Sequence, residues 1–147
     1  MECTIDWGGP NGMLFTASTG SGHVAVMDGA VDGGGHNLAP RPMEMLLAGT
    51  GGCTAYDVVL ILKRGRHAVS GCSVKLQAER ADSDPKVFTR IHFAFTVTGR
   101  NLPRAAVERA VQLSHEKYCS ASAMLEKTAA LTFSVEIEDT QEAPAAA

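Results

Sequence analysis

This sequence lacks an excess of one charge, an export signal and any pair of closely spaced cysteines. Its 13 Lys and Arg and 16 Asp and Glu are interspersed and leave a net charge of −3, so no nucleic-acid partner is expected. The first residues have neither the basic start nor the apolar segment of a secretion signal, which predicts a cytoplasmic protein. In that reducing compartment we expect the four cysteines to be free and any disulfide to be transient.

Metal-ligand spacing is also missing. The four cysteines form no CxxC pair and the five histidines are scattered, so neither a zinc site nor another bound cofactor is expected. Cys3 and Cys72 fall on the inward faces of predicted strands, where they are expected to pack as small apolar side chains.

The composition is typical of one folded domain. Of 147 residues, 45% are hydrophobic and 20% charged, and we expect a single domain over residues 1–140 with a flexible tail over 141–147. Residues 43–62 are apolar enough and long enough to cross a membrane. Asp57 and the glycines inside this run instead favour a core helix, so no membrane association is expected.

The spacing of apolar residues predicts an α+β fold with a mostly antiparallel sheet. The predicted elements are three short strands within residues 1–30, a helix over 42–64 capped by Gly65, strands over 72–79 and 90–97, a helix from Pro103, a short helix over 123–127 capped by Ser120 or Ser122, and a strand over 131–137.

Cys53 and Cys119 are the candidate reactive residues. Each lies singly in a segment predicted to be helical, among small or ionisable neighbours, which is a setting in which a thiol can react. His115 and Lys117 precede Cys119 closely enough to favour its thiolate, although both also suit a helix end. The alternative for both cysteines is that each is only a small buried hydrophobe.

The surroundings of Cys53 are less favourable to a thiolate. Asp57 lies one turn further along the helix, and its charge alone would raise the pKa of the thiol. Arg41 and Glu44 lie upstream and would supply a cation and a carboxylate that orients it, or else are solvated charges at the helix start.

Three glycines in four positions, residues 49–52, come just before Cys53. Each glycine inside a helix costs about 1 kcal/mol relative to alanine. We therefore expect close approach by another element, with Cys53 at a tight helix–helix contact; the alternative is a kinked helix.

The segments Pro42-Met-Glu-Met-Leu-Leu-Ala-Gly-Thr-Gly-Gly-Cys53-Thr-Ala-Tyr-Asp-Val-Val and His115-Glu-Lys-Tyr-Cys119-Ser together resemble the OsmC/Ohr family of thiol-dependent peroxide reductases, and within it the OsmC-like, YhfA-type branch. The resemblance extends over nearly the whole chain. It implies an intertwined homodimer, in which two sheets wrap around paired long central helices and both active sites lie at the subunit interface.

The resemblance also implies the chemistry. Cys53 would attack the peroxide O–O bond and become a sulfenic acid, and Cys119 would resolve it as a disulfide. A small external dithiol, such as a lipoyl group, would then reduce the disulfide.

The sequence departs from the family pattern in one respect. The family's well-studied peroxidases hold the thiolate with an Arg from the N-terminal sheet and a Glu on the central helix. Here no Arg precedes Arg41, and the Glu position falls on Met43. Glu44 is one residue away, which on a helix is a rotation of about 100°. The resemblance thus implies that the charge network that supports the thiolate is either absent here or rebuilt from Arg41, Glu44 and Asp57.

Three functions are compatible with these residues. The first is a cysteine-based reductase of small organic hydroperoxides. The second is a non-peroxidatic protein that binds an apolar small molecule under the glycine-rich helix face or senses redox state, which the missing Arg favours. The third is a dimer whose cysteines only pack.

Overall fold

The computed structural model of the protein describes residues 1–140. They form two compact units, one of residues 1–48 and one that begins at Gly49. The tail predicted for residues 141–147 lies outside the described residues. The α+β class predicted from the sequence is confirmed, because strands and helices both contribute to the chain in separate runs.

The N-terminal unit contains an antiparallel sheet of three short strands, as predicted. The strands are β1 (Cys3–Trp7), β2 (Phe15–Thr19) and β3 (Val24–Met27), in the order β1-β2-β3. Cys3 was expected to be buried, and that expectation is wrong: every residue of β1 is exposed. Strand alternation identifies two faces, but only tertiary packing decides whether either face is covered.

The helix α1 (Pro42–Arg64) has the predicted bounds. Its apolar run begins at a proline suited to a first helical turn, and two basic residues lie in the last turn. The left-handed residue that ends the helix is Arg66 (φ 61°) rather than Gly65, and His67 N–H donates to the Leu62 carbonyl over 3.0 Å.

The second unit contains the sheet β4 (Ala68–Arg80), β5 (Phe88–Arg100) and β6 (Ala130–Asp139), in that order. β4 and β5 are antiparallel, whereas β5 and β6 are parallel, because the intervening helical segment returns the chain to the same end of the sheet. The alternating side chains Ile91, Phe93, Phe95 and Val97 are at most 1% exposed and form the centre of this unit's core.

The helical segment between β5 and β6 consists of α2 (Arg104–Leu113), a π-helical turn (Ser114–Tyr118) and α3 (Ser120–Leu125). The predicted short helix therefore exists but begins three residues earlier than expected. Its cap is Cys119, not a serine: Cys119 is extended, with φ −76° and ψ 101°, and its sulfur accepts the Ser122 N–H.

One glycine of α1, Gly51, closely approaches a strand. A Cβ on Gly51 would lie 2.6 Å from Leu76 Cδ1, so β4 packs directly on the helix backbone there. Within the described part of the chain, a Cβ on Gly49 or Gly52 would meet nothing within 4 Å. Among the described residues, the close approach expected at these glycines is therefore made by a strand, at Gly51, and not by another helix.

Candidate thiol site

The fold brings Cys53 and Cys119 together. Their sulfurs and a carboxylate oxygen of Asp57 all lie within 4.8 Å of one another. Cys119 is buried, with 2% of its surface exposed, whereas Cys53 and Asp57 are half-buried. The two thiols are thus close neighbours, and one of them is more accessible than the other.

Helix geometry places Cys53 beside Asp57, because residues four apart lie on the same face of a helix. The position of Cys119 depends on the π-helical turn before it. Cys119 N–H donates to the Ser114 carbonyl over 2.7 Å, and this widened turn directs the chain into α3. Such turns occur frequently at functional sites.

Ser114 connects the two halves of the site. It is 1% exposed, and its Oγ donates to Asp57 Oδ2 over 3.0 Å while its carbonyl accepts from Cys119. The sequence analysis missed this residue. The only signal was a serine on the otherwise apolar face of α2, where Val107 and Val111 are buried.

The first turn of α3 directs backbone N–H groups at both sulfurs. Ser122 N–H donates to Cys119 Sγ over 3.4 Å, and a hydrogen bond from the Ala121 backbone lowers the pKa of Cys53. Backbone N–H groups in the first turn of a helix have no partner within the helix, and they favour negative charge nearby. This turn therefore favours the thiolate form of the two cysteines.

The net effect on Cys53 is nevertheless unfavourable to the thiolate. Burial is the largest cause that raises the pKa of Cys53 above its ordinary value. A hydrogen bond to Cys119 and the charges of Cys119 and Asp57 raise it further. The effect of Asp57 has the sign predicted from the sequence.

A pocket of about 260 Å³ adjoins Asp57. Its lining is mainly apolar, and the charged residues are Asp57 and Arg64; the other lining residues are Leu60, Ile61, Leu113 and Tyr118. Arg64 is a second residue that sequence reasoning did not select, because its place in the last turn of α1 is explained by the helix dipole alone.

Arg41 and Glu44 bond to each other at the start of α1. Arg41 Nη1 lies 3.6 Å from Glu44 Oε1, and the Arg41 N–H donates to Glu44 Oε2 over 2.9 Å. Their side chains are 49% and 57% exposed. Glu44 thus caps the helix start, and it precedes Cys53 by nine residues of one helix, which is about 13.5 Å.

The basic residues before Cys119 make ring contacts. The centroid of the His115 ring lies 4.7 Å from that of Phe133, and Lys117 Nζ lies 5.4 Å from the Tyr118 ring centroid. His115 Nδ1 is buried and has no hydrogen-bond partner among the described residues.

Comparison with known proteins identifies the family. The family model for OsmC-like proteins matches residues 34–139, and the chain belongs to that family. It is 47% identical over 137 residues to Protein YhfA of Escherichia coli K12, an alignment that covers 93% of this chain and 98% of YhfA. The resemblance predicted from the two cysteine segments is therefore confirmed.

Solved structures agree with this assignment. A hypothetical protein from Aquifex aeolicus is 28% identical, with a TM-score of 0.82 over 95% of this chain and 97% of that one. An organic hydroperoxide resistance protein OsmC from Legionella pneumophila is 17% identical, with a TM-score of 0.65 over 92% and 97% of the two chains, and shows the shared fold.

The length and composition of α1 alone would allow it to cross a membrane, with a mean hydropathy of 1.6 over its most apolar part. A core helix of a soluble protein meets the same criteria. Asp57 and Cys53 of this helix belong to the thiol site.

Proposed function

We propose that the protein is a thiol-dependent peroxidase that reduces small organic hydroperoxides through Cys53 and Cys119. The observation that carries the proposal is the separation of the two sulfurs, which lie within 4.8 Å of each other. Family membership adds support, as does the fold shared with the hydroperoxide resistance protein of Legionella pneumophila.

The chemistry has three steps. The Cys53 thiolate attacks one peroxide oxygen and breaks the O–O bond, which leaves a Cys53 sulfenic acid and releases an alcohol once the leaving alkoxide takes a proton. Cys119 then attacks the sulfenic sulfur, forming a disulfide and releasing water. An external dithiol returns both cysteines to thiols and becomes a disulfide itself. The roles follow accessibility, since Cys53 is the more exposed sulfur.

The pocket beside Asp57 suggests the size of the substrate. Its volume, about 260 Å³, is near the lower end of ligand pockets in general, which favours a small molecule. Leu60, Ile61 and Leu113 would hold the apolar part of a hydroperoxide.

A homodimer in the cytoplasm is part of the proposal. Only 28% of the most apolar stretch of α1 is buried within the chain. Tyr56 is 68% exposed, and a groove of about 410 Å³ runs along Gly52, Tyr56 and Val59 to Cys72. Such an apolar helix face is costly in water and is suited to a second copy of α1.

The roles of Arg41 and Glu44 also remain a proposal. Within the chain each is bonded to the other. If the pair supports a thiolate in the dimer, Arg41→Gln will slow peroxide reduction at neutral pH. The matched control is Arg90→Gln, which breaks another exposed ion pair, Arg90–Glu79, at 3.9 Å. Equal rates in the two variants would remove Arg41 from the mechanism.

The raised pKa of Cys53 favours a second function. The raised pKa of Cys53 lowers the fraction of thiolate at neutral pH, whereas a fast peroxidase needs that fraction to be high. A protein that binds an apolar ligand, or that forms the Cys53–Cys119 disulfide slowly as a redox sensor, would tolerate this.

The deciding experiment is consumption of a dithiol by the reduced protein in the presence of an organic hydroperoxide. Rapid turnover that is lost in Cys53→Ser and kept in Cys3→Ser is the expected result. Cys3 is a suitable control because it is exposed and is not part of the three-residue cluster. Turnover no faster than that of Cys53→Ser would reject the peroxidase and favour the sensor or ligand-binding protein.

A further inference from the structure

Cys53, Cys119 and Asp57 also constitute a set of metal donors. Two sulfurs and one carboxylate oxygen lie within 4.8 Å of one another. We propose that the reduced protein binds a thiophilic divalent cation of the zinc class at these three side chains. The spacing of the cysteines in the sequence predicts no such site, because the third donor is a carboxylate and the second cysteine comes from a distant segment.

The donor chemistry selects the cation. Zinc binds sulfur at about 2.3 Å and carboxylate oxygen at about 2.0–2.2 Å, so donors on one tetrahedral ion lie about 3.5–4 Å apart. A cluster with separations up to 4.8 Å needs only small side-chain rotations to reach that geometry. Two sulfur donors disfavour Mg²⁺ and Ca²⁺, which take oxygen ligands.

The surroundings fit such a site. The hydrogen bond from Ser114 Oγ to Asp57 Oδ2, 3.0 Å long, holds the carboxylate in place, as outer partners of metal ligands do. Three protein donors leave a fourth position for water. Ser122 has no exposed surface, its N–H bonds Cys119 Sγ, and its Oγ has no partner among the described residues. A water on the ion would offer that hydroxyl a partner.

Binding exchanges protons for metal and involves no oxidation. The cation replaces the two thiol protons, which are released, and the carboxylate adds the third bond. With both sulfurs bonded to the ion, Cys53 cannot attack a peroxide and cannot pair with Cys119. This protection of the reduced state depends on the proposed peroxidase function, whereas the binding itself does not.

The test uses the full-length protein, reduced and stripped of metal. Zn²⁺ is titrated in competition with a chromophoric chelator, and Co²⁺ serves as a spectroscopic probe. We expect one ion per chain and a sulfur-to-cobalt charge-transfer band, which is lost or strongly reduced in Cys53→Ser and Cys119→Ser. Ser114→Ala should weaken binding about tenfold by releasing the Asp57 carboxylate, and Asp57→Asn should weaken it more. Cys3→Ser, at an exposed cysteine outside the cluster, is the control and should bind normally.

A measurement on the unaltered chain covers the case in which a variant does not fold. Zn²⁺ should protect the half-buried Cys53 from alkylation but leave the exposed Cys3 reactive. The proposal is overturned if the wild type binds no stoichiometric ion, if both cysteine variants bind as tightly as the wild type, or if Zn²⁺ leaves Cys53 as reactive as before. These assays contain no peroxide and the peroxidase assay contains a chelator, so each proposal can fail without the other.

Discussion

The two sulfurs of the site have unequal surroundings. Cys119 is buried and serves as the cap of α3, whereas Cys53 is half-buried on the side of α1. An oxidant has to reach a sulfur before it can react, so accessibility assigns the first attack to Cys53. Asp57 opposes that role, because its charge raises the pKa of Cys53.

Asp57→Asn is therefore expected to make Cys53 more reactive at neutral pH in metal-free buffer. Removing a negative charge beside a thiol stabilises the thiolate, so the pKa of Cys53 should fall. The pH curve for alkylation of Cys53, followed by peptide mass spectrometry, should move to lower pH.

The control for this measurement is Asp82→Asn, at an exposed carboxylate in the turn between β4 and β5. It should leave the alkylation curve of Cys53 unchanged. A curve for Asp57→Asn that stays in place or moves to higher pH would contradict the electrostatic account.

At the scale of single elements, α3 shows a cysteine used as a helix cap. The sulfur of Cys119 accepts the Ser122 N–H over 3.4 Å, so the same atom has a structural and a proposed redox role. A buried helix start without a partner for its N–H groups is unfavourable, which makes the cap a separate contribution to stability.

Substitutions at Cys119 can separate these roles. Cys119→Ser keeps a side-chain acceptor and should change the free energy of unfolding little, whereas Cys119→Ala should lose about 1 kcal/mol. Both should abolish the disulfide with Cys53. Urea unfolding of the reduced proteins measures the difference, and equal stability of the two variants would show that the cap contributes nothing.

The loop between β3 and α1 is organised by one buried carboxylate. Asp28 accepts from the N–H groups of Gly29, His36 and Leu38, over 2.7, 3.1 and 3.0 Å. The Leu38 hydrogen bond is the largest cause that lowers the pKa of Asp28 below its ordinary 3.8, against the opposing effect of burial.

Asp28→Asn should therefore be less stable than the wild type at neutral pH. A carboxyl group with a lowered pKa stabilises the fold above its unfolded pKa, and that contribution is lost as pH falls below about 3.8 through the folded value. The difference in free energy of unfolding between the two proteins, measured in urea, should thus become smaller in acid. At neutral pH the Leu38 amide hydrogen should exchange faster in Asp28→Asn than in the wild type. Asp32→Asn, at an exposed carboxylate, is the control; a difference that does not vary with pH would contradict this account.

At the scale of the whole molecule, the proposed dimer can be tested at Gly49 and Gly52, the two glycines of α1 that face no other atoms of the described chain. Ala at Gly49 or Gly52 meets nothing within 4 Å in the described chain and should stabilise the isolated helix by about 1 kcal/mol. If a second α1 packs on this face, the added methyl groups will instead weaken the dimer.

Sedimentation equilibrium separates these effects. We expect the wild type to be a dimer and Gly49→Ala/Gly52→Ala to dissociate at higher protein concentration. Gly33→Ala, at an open glycine outside α1, should leave the dimer unchanged. A monomeric wild type would reject the dimer.

The sequence by itself determined the elements that depend on local interactions. The bounds of α1 follow from one apolar run with a proline at its start and basic residues at its end. The strand alternation located β5 and its buried face, and the two cysteine segments identified the family. Each signal is carried by residues close together in the chain, whose conformations are set by their own sterics and periodicity.

Tertiary structure alone decided how those elements meet. It placed Cys53, Cys119 and Asp57 within 4.8 Å of one another, and it joined Asp57 to Ser114. It also left β1 exposed, which overturned the inward position of Cys3. Separations between distant segments depend on which faces pack together, and no local propensity encodes that choice.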